Sequence, residues 1–208
     1  MKIVLFGPPG AGKGTQANEI SNIYELPHIS TGALLRKHIE EKTKIGLVAL
    51  GFIERGKLAP DDIVGEILRE ELAKCKNGFL LDGYPRTLPQ AELLDTITDI
   101  DVVLNIQIDD ESVVDRIVNR MVCSVCGKNF SKKLHSTEVC DCGATLTLRK
   151  DDTEEIVRER LAVYAAETMP IIDHYKAKGN LVDIDGHGSI QQVFKRIQKA
   201  LNDQSKNR

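Results

Sequence analysis

Short apolar runs alternate with longer amphipathic stretches along the chain. Four runs predict buried strands, at Lys2 to Phe6, Phe79 to Leu81, Val102 to Ile108 and Leu181 to Ile184, and His28 to Ser30 is a shorter fifth candidate. Each run adjoins a stretch with helical periodicity. This alternation of strand and helix predicts an α/β fold, in which helices cover both faces of a parallel sheet as three layers.

Polar residues mark several helix ends. One helix is predicted to begin at Pro60-Asp61-Asp62, and Asp152 with Glu155 three residues later resembles a capping box. Gly179-Asn180 is predicted to end the long helix that this box opens. The polar tail from Asn202 to Arg208 is predicted to fray.

Two stretches interrupt the alternation. Residues 30–59 carry helical patterns that we expect Gly46, Gly51 and Gly56 to break, and residues 121–152 hold four of the five cysteines. We interpret both as lobes inserted into a single domain that spans residues 1–208. Ligands of open α/β sheets bind beyond the carboxyl ends of the strands, where such lobes close over them.

The first strand runs directly into Gly7-Pro8-Pro9-Gly10-Ala11-Gly12-Lys13-Gly14-Thr15. A glycine-rich turn between a strand and a helix directs backbone N–H groups and the positive end of the helix dipole at one point. Lys13 adds a mobile positive charge for the outer phosphates. The segment therefore predicts a phosphate-binding loop, with its hydroxyl one position later than usual, at Thr15.

The third strand ends in Asp82, followed by Gly83-Tyr84-Pro85-Arg86-Thr87. A carboxylate at this edge of the sheet is suited to hold a water of a bound Mg²⁺ ion. The alternative is that Asp82 only caps the following turn. Arg86 places a guanidinium, which suits phosphate, beside it.

Arginines recur at the lobe boundaries, at Arg36, Arg86, Arg116, Arg120, Arg149 and Arg160. Arg116 and Arg120 are four residues apart, so we expect them to share a face of one helix. Phosphoryl transfer between two phosphates needs positive charge on the oxygens more than it needs a base, because the acceptor is already anionic. The arginines thus favour a phosphate as the acceptor.

Composition excludes several classes. The net charge of −3 disfavours nucleic acid and anionic membranes as partners, and no apolar run approaches the length that spans a bilayer. The chain begins in a strand and not in a signal segment, so we expect a cytoplasmic protein. An Asn-Lys-x-Asp guanine motif is absent, which disfavours a GTPase switch. A nucleic-acid module built around the cysteines is the other alternative.

Several segments together resemble bacterial adenylate kinase over nearly the whole chain. They are Gly7 to Thr15, Ile29 to Arg36, Asp82 to Gln90, Asp115 to Ile117, and Arg149 to Arg160. The resemblance implies a P-loop kinase fold with an AMP-binding lobe at residues 30–59 and a lid at residues 121–152. It implies a monomer that transfers a phosphoryl group reversibly from MgATP to AMP, giving two ADP. A kinase for UMP, CMP or GMP is the alternative.

The resemblance also implies ligand contacts. The ATP site comprises Gly10, Ala11, Gly12, Lys13, Gly14, Thr15, Arg120, Asn129, Phe130 and the backbone near Gly188. The AMP site comprises Thr31, Arg36, Lys57, Leu58, Ala59, Gly83, Tyr84, Pro85, Arg86, Gln90, Arg149 and Arg160. Catalytic roles fall to Lys13, Asp82, Arg86, Arg116, Arg120, Arg149 and Arg160. The Gln90 carboxamide pairs with a ring acceptor and an exocyclic amine, which suits adenine.

One position departs from the family. An acidic residue usually follows Thr-Gly, and this chain has Ala33. If that carboxylate normally holds a water bound to Mg²⁺, then in this chain either Asp82 holds more of these waters or the waters around the ion are held less tightly. The alternative is that the site tolerates the loss.

The cysteine segment resembles the zinc-bearing lid of the family. Cys123-Ser-Val-Cys126-Gly127 has the spacing of a zinc knuckle, but only one residue separates Cys140 from Cys142, where the family usually has two. We expect these four cysteines to bind a structural Zn²⁺, with His135 or Glu138 as alternative ligands in the second half. Free thiols are the other alternative. Four thiolates leave no open position for a catalytic zinc.

Overall fold

A computed structural model describes residues 1–206 of the chain, and side chains through residue 204. Within these residues, the strands are β1 (Lys2–Phe6), β2 (His28–Ser30), β3 (Phe79–Asp82), β4 (Val102–Gln107), β5 (Arg120–Cys123), β6 (Asn129–Ser131), β7 (Leu146–Thr147) and β8 (Leu181–Asp185). The helices are α1 (Lys13–Tyr24), α2 (Thr31–Glu40), α3 (Lys44–Ile53), α4 (Asp61–Leu72), α5 (Leu88–Ile97), α6 (Asp110–Val118), α7 (Glu154–Val163), α8 (Met169–Ala177) and α9 (Ile190–Lys206). A π-helical turn at Tyr164–Thr168 joins α7 to α8. None of the described helices has the length and apolar character needed to cross a membrane.

The central sheet is parallel, with strand order β2-β3-β1-β4-β8. All five predicted strands are confirmed. In the register of β1 with β3, Leu5 lies opposite Asp82. The end of β3 therefore meets the start of the phosphate loop at the carboxyl edge of the sheet.

Helices cover both faces of this sheet. Val4 and Phe6 of β1 are buried in one cluster with residues of α2, α3, α4, α5 and α8. Ile3 and Leu5 of the same strand are buried on the opposite face with residues of α1 and α9. A strand that is buried on both faces needs apolar residues at consecutive positions, and this is why the apolar run at the start of the chain correctly predicted β1.

A second, smaller sheet lies in the cysteine segment. It is antiparallel, with order β6-β5-β7. Its buried cluster consists of Met121, Cys123, Cys140 and Leu146. Two of these four residues are cysteines, so the segment has very little apolar core of its own.

Gly46 and Gly51 lie inside α3, so the expectation that they break helices is wrong. Thr43 caps this helix by accepting a hydrogen bond from the Gly46 N–H at 3.1 Å. The packing of α3 on α2 requires glycine at position 46, since a Cβ there would lie 2.0 Å from the carbonyl oxygen of His38. Gly56 follows the end of α3, as expected.

Two other predicted helix ends differ in the structure. Thr153, and not Asp152, caps α7, because its side chain accepts from the Ile156 N–H while the Asp152 carboxylate binds Arg120. Helix α9 continues through Lys206, so the prediction of a frayed tail is wrong for residues 202–206; residues 207 and 208 lie outside the described part. The predicted start at Pro60 and the stop near Gly179, whose φ is 73°, are confirmed.

The contrast between the two glycines of α3 gives a test. We expect Gly46→Ala to lower the free energy of unfolding by at least about 2 kcal/mol, since backbone must move to admit the methyl group. In Gly51→Ala, the nearest atom to the new Cβ is the end of the Arg55 side chain at 3.9 Å. That variant gains helix propensity and should be more stable by up to about 1 kcal/mol. Urea unfolding measures both, and equal effects would contradict the packing described.

Candidate active site

The phosphate loop connects β1 to α1 and requires glycine at specific positions. Gly7 has φ 140°, and a Cβ there would lie 2.5 Å from the carbonyl oxygen of Ile106 in the neighbouring strand. At Gly12, with φ 92°, a Cβ would meet nothing within 4 Å, so this part of the loop faces open space. Gly12 is also the N-cap of α1 and provides no side-chain cap. The first N–H groups of α1 therefore remain available to an anion.

Lys13 and Asp82 lie together behind this loop. The Lys13 ammonium donates to the carbonyl oxygens of Gly7 and Pro8 at 2.7 and 2.8 Å. Burial lowers the pKa of Lys13 to about 7, an effect that neighbouring arginines increase and Asp82 opposes. Burial by itself raises the pKa of Asp82, but His28 and Lys13 together hold it below its usual range. Asp82 is therefore ionised.

His28 was not among the residues singled out from the sequence. It is the first residue of β2, and its Nε2 lies 3.6 Å from Oδ2 of Asp82. Its position on the strand next to β3 is the only signal that the sequence offered.

Five of the six arginines converge beside the loop. Arg36, Arg86, Arg120, Arg149 and Arg160 interact electrostatically with one another, with Lys13, and with Asp82, Asp151 and Asp152. Burial is the largest cause of the lowered pKa of Arg86 and of Arg149, each to about 10. This set of six cationic side chains and three carboxylates is called the cationic cluster below.

Ion pairs fix two arginines of the cationic cluster. Arg120 forms a two-pronged pair with Asp152, at 2.8 Å from Nε and 2.5 Å from Nη2. Arg160 lies 3.3 Å from Asp151 and 3.7 Å from Asp152. The carboxyl group of Asp152 is almost fully buried. These pairs hold in place the guanidinium groups of Arg120 and Arg160, which come from two separate segments of the chain.

Arg116 and Arg120 do not share a helix face, so that prediction is wrong. Helix α6 ends at Val118, where Asn119 caps it and donates to the carbonyl oxygen of Asp115 at 2.8 Å. Arg120 then begins β5, opposite Ser131. Arg116 instead donates to the carbonyl oxygen of Gly186 at 3.1 Å, in the loop after β8.

The segment after β3 connects Arg86 to the start of α2. The hydroxyl of Thr31 donates to the carbonyl oxygen of Gly83 at 2.6 Å, and Nε of Arg86 donates to the same oxygen at 2.8 Å. Tyr84 is fully buried, and a cis peptide bond joins it to Pro85. Arg36 reaches this region along α2, where its guanidinium lies close to Gly32. Ala33 is exposed on the same helix.

An open cleft of about 770 Å³ adjoins this segment. The turn at Lys57, Leu58 and Ala59 lines the cleft together with residues of α7 and the π-helical turn, which are Glu159, Ala162, Val163, Ala166 and Glu167. Lys57 pairs with Glu159 across it. Asp61 and Thr87 also face the cleft, and the sequence analysis gave neither of them a role in the site.

The remaining predicted nucleotide contacts lie on two other segments. Asn129 and Phe130 are in β6, and the Phe130 ring stacks on His135 with centroids 4.5 Å apart. Gly188, with φ 101°, is in the loop between β8 and α9. Gln16 of α1 donates to the carbonyl oxygen of Ile190 at 3.1 Å, which ties the start of α9, just after this loop, to the helix that follows the phosphate loop.

The four cysteines of the small sheet come together despite their unusual spacing. The Sγ atoms of Cys123, Cys126, Cys140 and Cys142 all lie within 4.8 Å of one another. Ligands at about 2.3 Å from a tetrahedral metal are about 3.8 Å apart, so the set is compatible with a structural metal ion. Hydrogen bonds from the N–H groups of Cys126 and Val125 lower the pKa of the Cys123 thiol to about 6.

The two alternative ligands are not part of this set. The His135 ring contacts the carbonyl oxygen of Val139 and the hydroxyl of Thr137. Among the described residues, the metal-ligating set contains neither His135 nor Glu138.

Comparison with known proteins agrees with this geometry. A family model described as adenylate kinase matches residues 5–180. An adenylate kinase of Methanococcoides burtonii is 48% identical, over 97% of this chain and 99% of the relative. Those of Caldanaerobacter subterraneus subsp. tengcongensis and Caldicellulosiruptor bescii are each 47% identical, over 97% of this chain and 96% and 99% of the relative. The chain therefore belongs to the adenylate kinase family.

Proposed function

We propose that this protein transfers the γ-phosphoryl group of MgATP to AMP, giving two ADP, through the residues that surround the phosphate loop. The observation that carries this assignment is the cationic cluster. One nucleotide's phosphates are already served by the loop and the start of α1. Five guanidinium groups lie beside them, partly offset by three carboxylates. Guanidinium groups bind phosphate oxygens in pairs, so the phosphate of a second nucleotide is the ligand that suits this set.

The donor side is the phosphate loop. Backbone N–H groups of Gly10 to Thr15 bind the ATP phosphates, and Lys13 neutralises charge on the outer ones. Arg120, Asn129 and Phe130 and the backbone at Gly188 flank the rest of the ATP molecule. The acceptor side is formed by Thr31, Arg36, the turn at 57–59, the segment 83–86 and Gln90, with Arg149 and Arg160 at the AMP phosphate.

No base is required for the transfer itself. An oxygen of the AMP phosphate attacks the γ-phosphorus, and the bond from that phosphorus to the β,γ-bridging oxygen breaks with its electron pair going to the departing ADP. Five cationic side chains stabilise the negative charge on the equatorial oxygens of the transferred phosphoryl group, and this charge is present at every stage of the transfer. They are Lys13, Arg86, Arg120, Arg149 and Arg160. Arg116 acts from further away, by holding the loop that follows β8.

The site fits magnesium bound with ATP. Asp82 is a largely buried, ionised carboxylate next to the phosphate loop, and carboxylate oxygens or waters held by them are what Mg²⁺ prefers. Mg²⁺ held there with ATP would offset negative charge on the phosphate oxygens. With Ala33 exposed on α2 in place of the usual acid, we assign the water-holding role to Asp82.

We assign the four cysteines to a structural zinc ion. Their thiol set and separation suit Zn²⁺, and the small sheet around them has a buried cluster of only four residues. Such a small core does not stabilise a fold by hydrophobic burial alone. The two inserted segments, 30–59 and 121–152, act as lobes that close over the nucleotides and exclude water. We further propose a cytoplasmic monomer without nucleic-acid or membrane partners.

A coupled assay tests the assignment. ADP formation from ATP should depend on AMP and be much weaker with UMP, CMP or GMP. The assignment would be refuted if the protein hydrolysed ATP and added AMP did not divert the phosphoryl group into ADP. A higher rate with another nucleoside monophosphate would keep the assignment as a kinase and identify that monophosphate, and not AMP, as the acceptor.

The two arginines on α7 provide a matched pair. Arg160→Ala removes a guanidinium from the cationic cluster and should lower kcat by about 10²-fold or more. Arg158 lies two residues away and pairs with exposed Glu154 and Glu111. Its Arg158→Ala change should leave kcat within about twofold. Similar losses in both variants would argue against a special role of Arg160.

The low pKa of Lys13 predicts proton uptake. In the free protein at pH 8 this side chain is mostly neutral, and arriving phosphates favour its charged form. ATP binding at pH 8 should therefore take up about one proton more in the wild type than in Lys13→Arg, whose guanidinium is always charged. Near pH 6 the difference should vanish. Titration calorimetry in buffers of different ionisation enthalpy measures it; no difference at pH 8 would contradict the effect of burial.

Zinc binding predicts a loss of stability on metal removal. The purified protein should hold about one equivalent of zinc, and a strong chelator should lower its Tm. Cys142→Ser should reduce the zinc content sharply, whereas Cys75→Ser, which changes a thiol outside the set, should not. Equal zinc content in the two variants would exclude this site.

A further inference from the structure

Gln90 is held from several sides. Its Nε2 donates to Oδ1 of Asp61 at 2.6 Å, and its Oε1 accepts from the backbone N–H of Arg86 at 2.8 Å. The other oxygen of Asp61 accepts from the Thr87 hydroxyl at 2.8 Å. The Tyr84 hydroxyl donates to the Gln90 carbonyl oxygen at 3.1 Å. The Gln90 side chain is thus buried and has little freedom to reorient.

Donor and acceptor chemistry determines which way the carboxamide faces. An ionised carboxylate only accepts hydrogen bonds, and a backbone N–H only donates them. If the Gln90 amide rotated by 180°, its oxygen would face the Asp61 carboxylate and its NH₂ group would face the Arg86 N–H. Both contacts would become repulsive, so Asp61 and Arg86 together allow a single orientation.

Each end of the carboxamide keeps one unused bonding position. Nε2 carries two hydrogens and Oε1 has two lone pairs, and the contacts above use one of each. The remaining donor and acceptor match a purine with a 6-amino group and an unprotonated N1. A 6-oxo purine, whose N1 carries a hydrogen, presents the reverse pattern and would need the rotated amide.

We propose that Asp61 is a positioning residue that makes the monophosphate site select 6-amino purines over 6-oxo purines. It acts by preventing rotation of the Gln90 amide. This inference rests on the proposed function, in which Gln90 contacts the base of AMP. Asp61 and Thr87 both line the cleft beside the turn at 57–59, so the network borders the space where that base would lie.

A purely structural role for the same contacts is the alternative. Thr87 caps α5, and its side chain also accepts from the Gln90 N–H at 3.3 Å. If the network served only to cap this helix, its loss would lower stability without changing which base is preferred. Base preference therefore separates the two roles.

The test compares AMP with inosine 5′-monophosphate, which differs from AMP only at the 6-position and N1. Changes at the phosphate or ribose contacts cancel in the ratio of the two kcat/KM values. In Asp61→Ala, we expect the AMP-to-inosine-monophosphate ratio to fall at least about tenfold, mainly through a higher KM for AMP. Asp61→Asn keeps an acceptor but also offers a donor to a rotated amide, so its ratio should be intermediate.

Asp62→Ala is the control. Asp62 is exposed at the start of the same helix, and its carboxylate accepts a hydrogen bond from the neighbouring Ile63 N–H at 2.8 Å. The ratio of kcat/KM for AMP to kcat/KM for inosine 5′-monophosphate should be the same in Asp62→Ala as in the wild type. If Asp61→Ala does not fold, Asp61→Asn decides the outcome. An unchanged ratio in the Asp61 variants, with AMP still a good substrate of the wild type, would overturn the inference alone; no ADP from AMP in the wild type would overturn the proposed function.

Discussion

The site depends on the electrostatic balance within the cationic cluster. Six cationic side chains lie close together beside the phosphate loop, and three carboxylates of the described residues, Asp82, Asp151 and Asp152, offset them. Burial lowers the pKa of Lys13 and of four of the arginines, so the fold holds these groups where their charge is disfavoured. The four are Arg36, Arg86, Arg149 and Arg160. Phosphate groups from two nucleotides would supply the missing negative charge. In a chain with a net charge of −3, such a local excess of positive charge points to a specific anionic ligand.

The parallel sheet provides the rigid part of this arrangement. It places the ends of β1 and β3 side by side, and with them the phosphate loop and Asp82. The arginines come from more distant segments, and ion pairs fix two of them, Arg120 and Arg160. Arg120 immediately precedes the cysteine segment, residues 121–152, and Asp152 is its last residue, so their two-pronged pair ties together the two ends of this segment. The same pair thus orders the cationic cluster and anchors the small sheet.

The sequence predicted features that depend on local pattern. The apolar runs gave all five strands of the parallel sheet, and the glycines and Lys13 gave the phosphate loop. It did not predict features that depend on contacts between distant residues. Asp152 resembles a helix cap, but its ion pair with Arg120 leaves that role to Thr153. Gly46 resembles a helix breaker, but α3 packs so closely on α2 that only glycine fits.

The same reason explains the residues that were overlooked. His28 acts on Asp82 from a neighbouring strand, and Asp61 acts on Gln90 from a helix 29 residues earlier. The spacing of Thr87 and Gln90, typical of a capping box, was a signal that the Gln90 side chain has a local partner. Arg116 and Arg120 have helical spacing, but Asn119 ends the helix between them.

The central claim is that two nucleotides meet in one site and exchange a phosphoryl group directly. A single-turnover reaction with ATP labelled at the γ-phosphate, in the presence of excess AMP and enzyme, tests it most directly. The account predicts that the label appears in ADP, with about one labelled ADP for each ATP consumed. Label appearing instead as inorganic phosphate would contradict it.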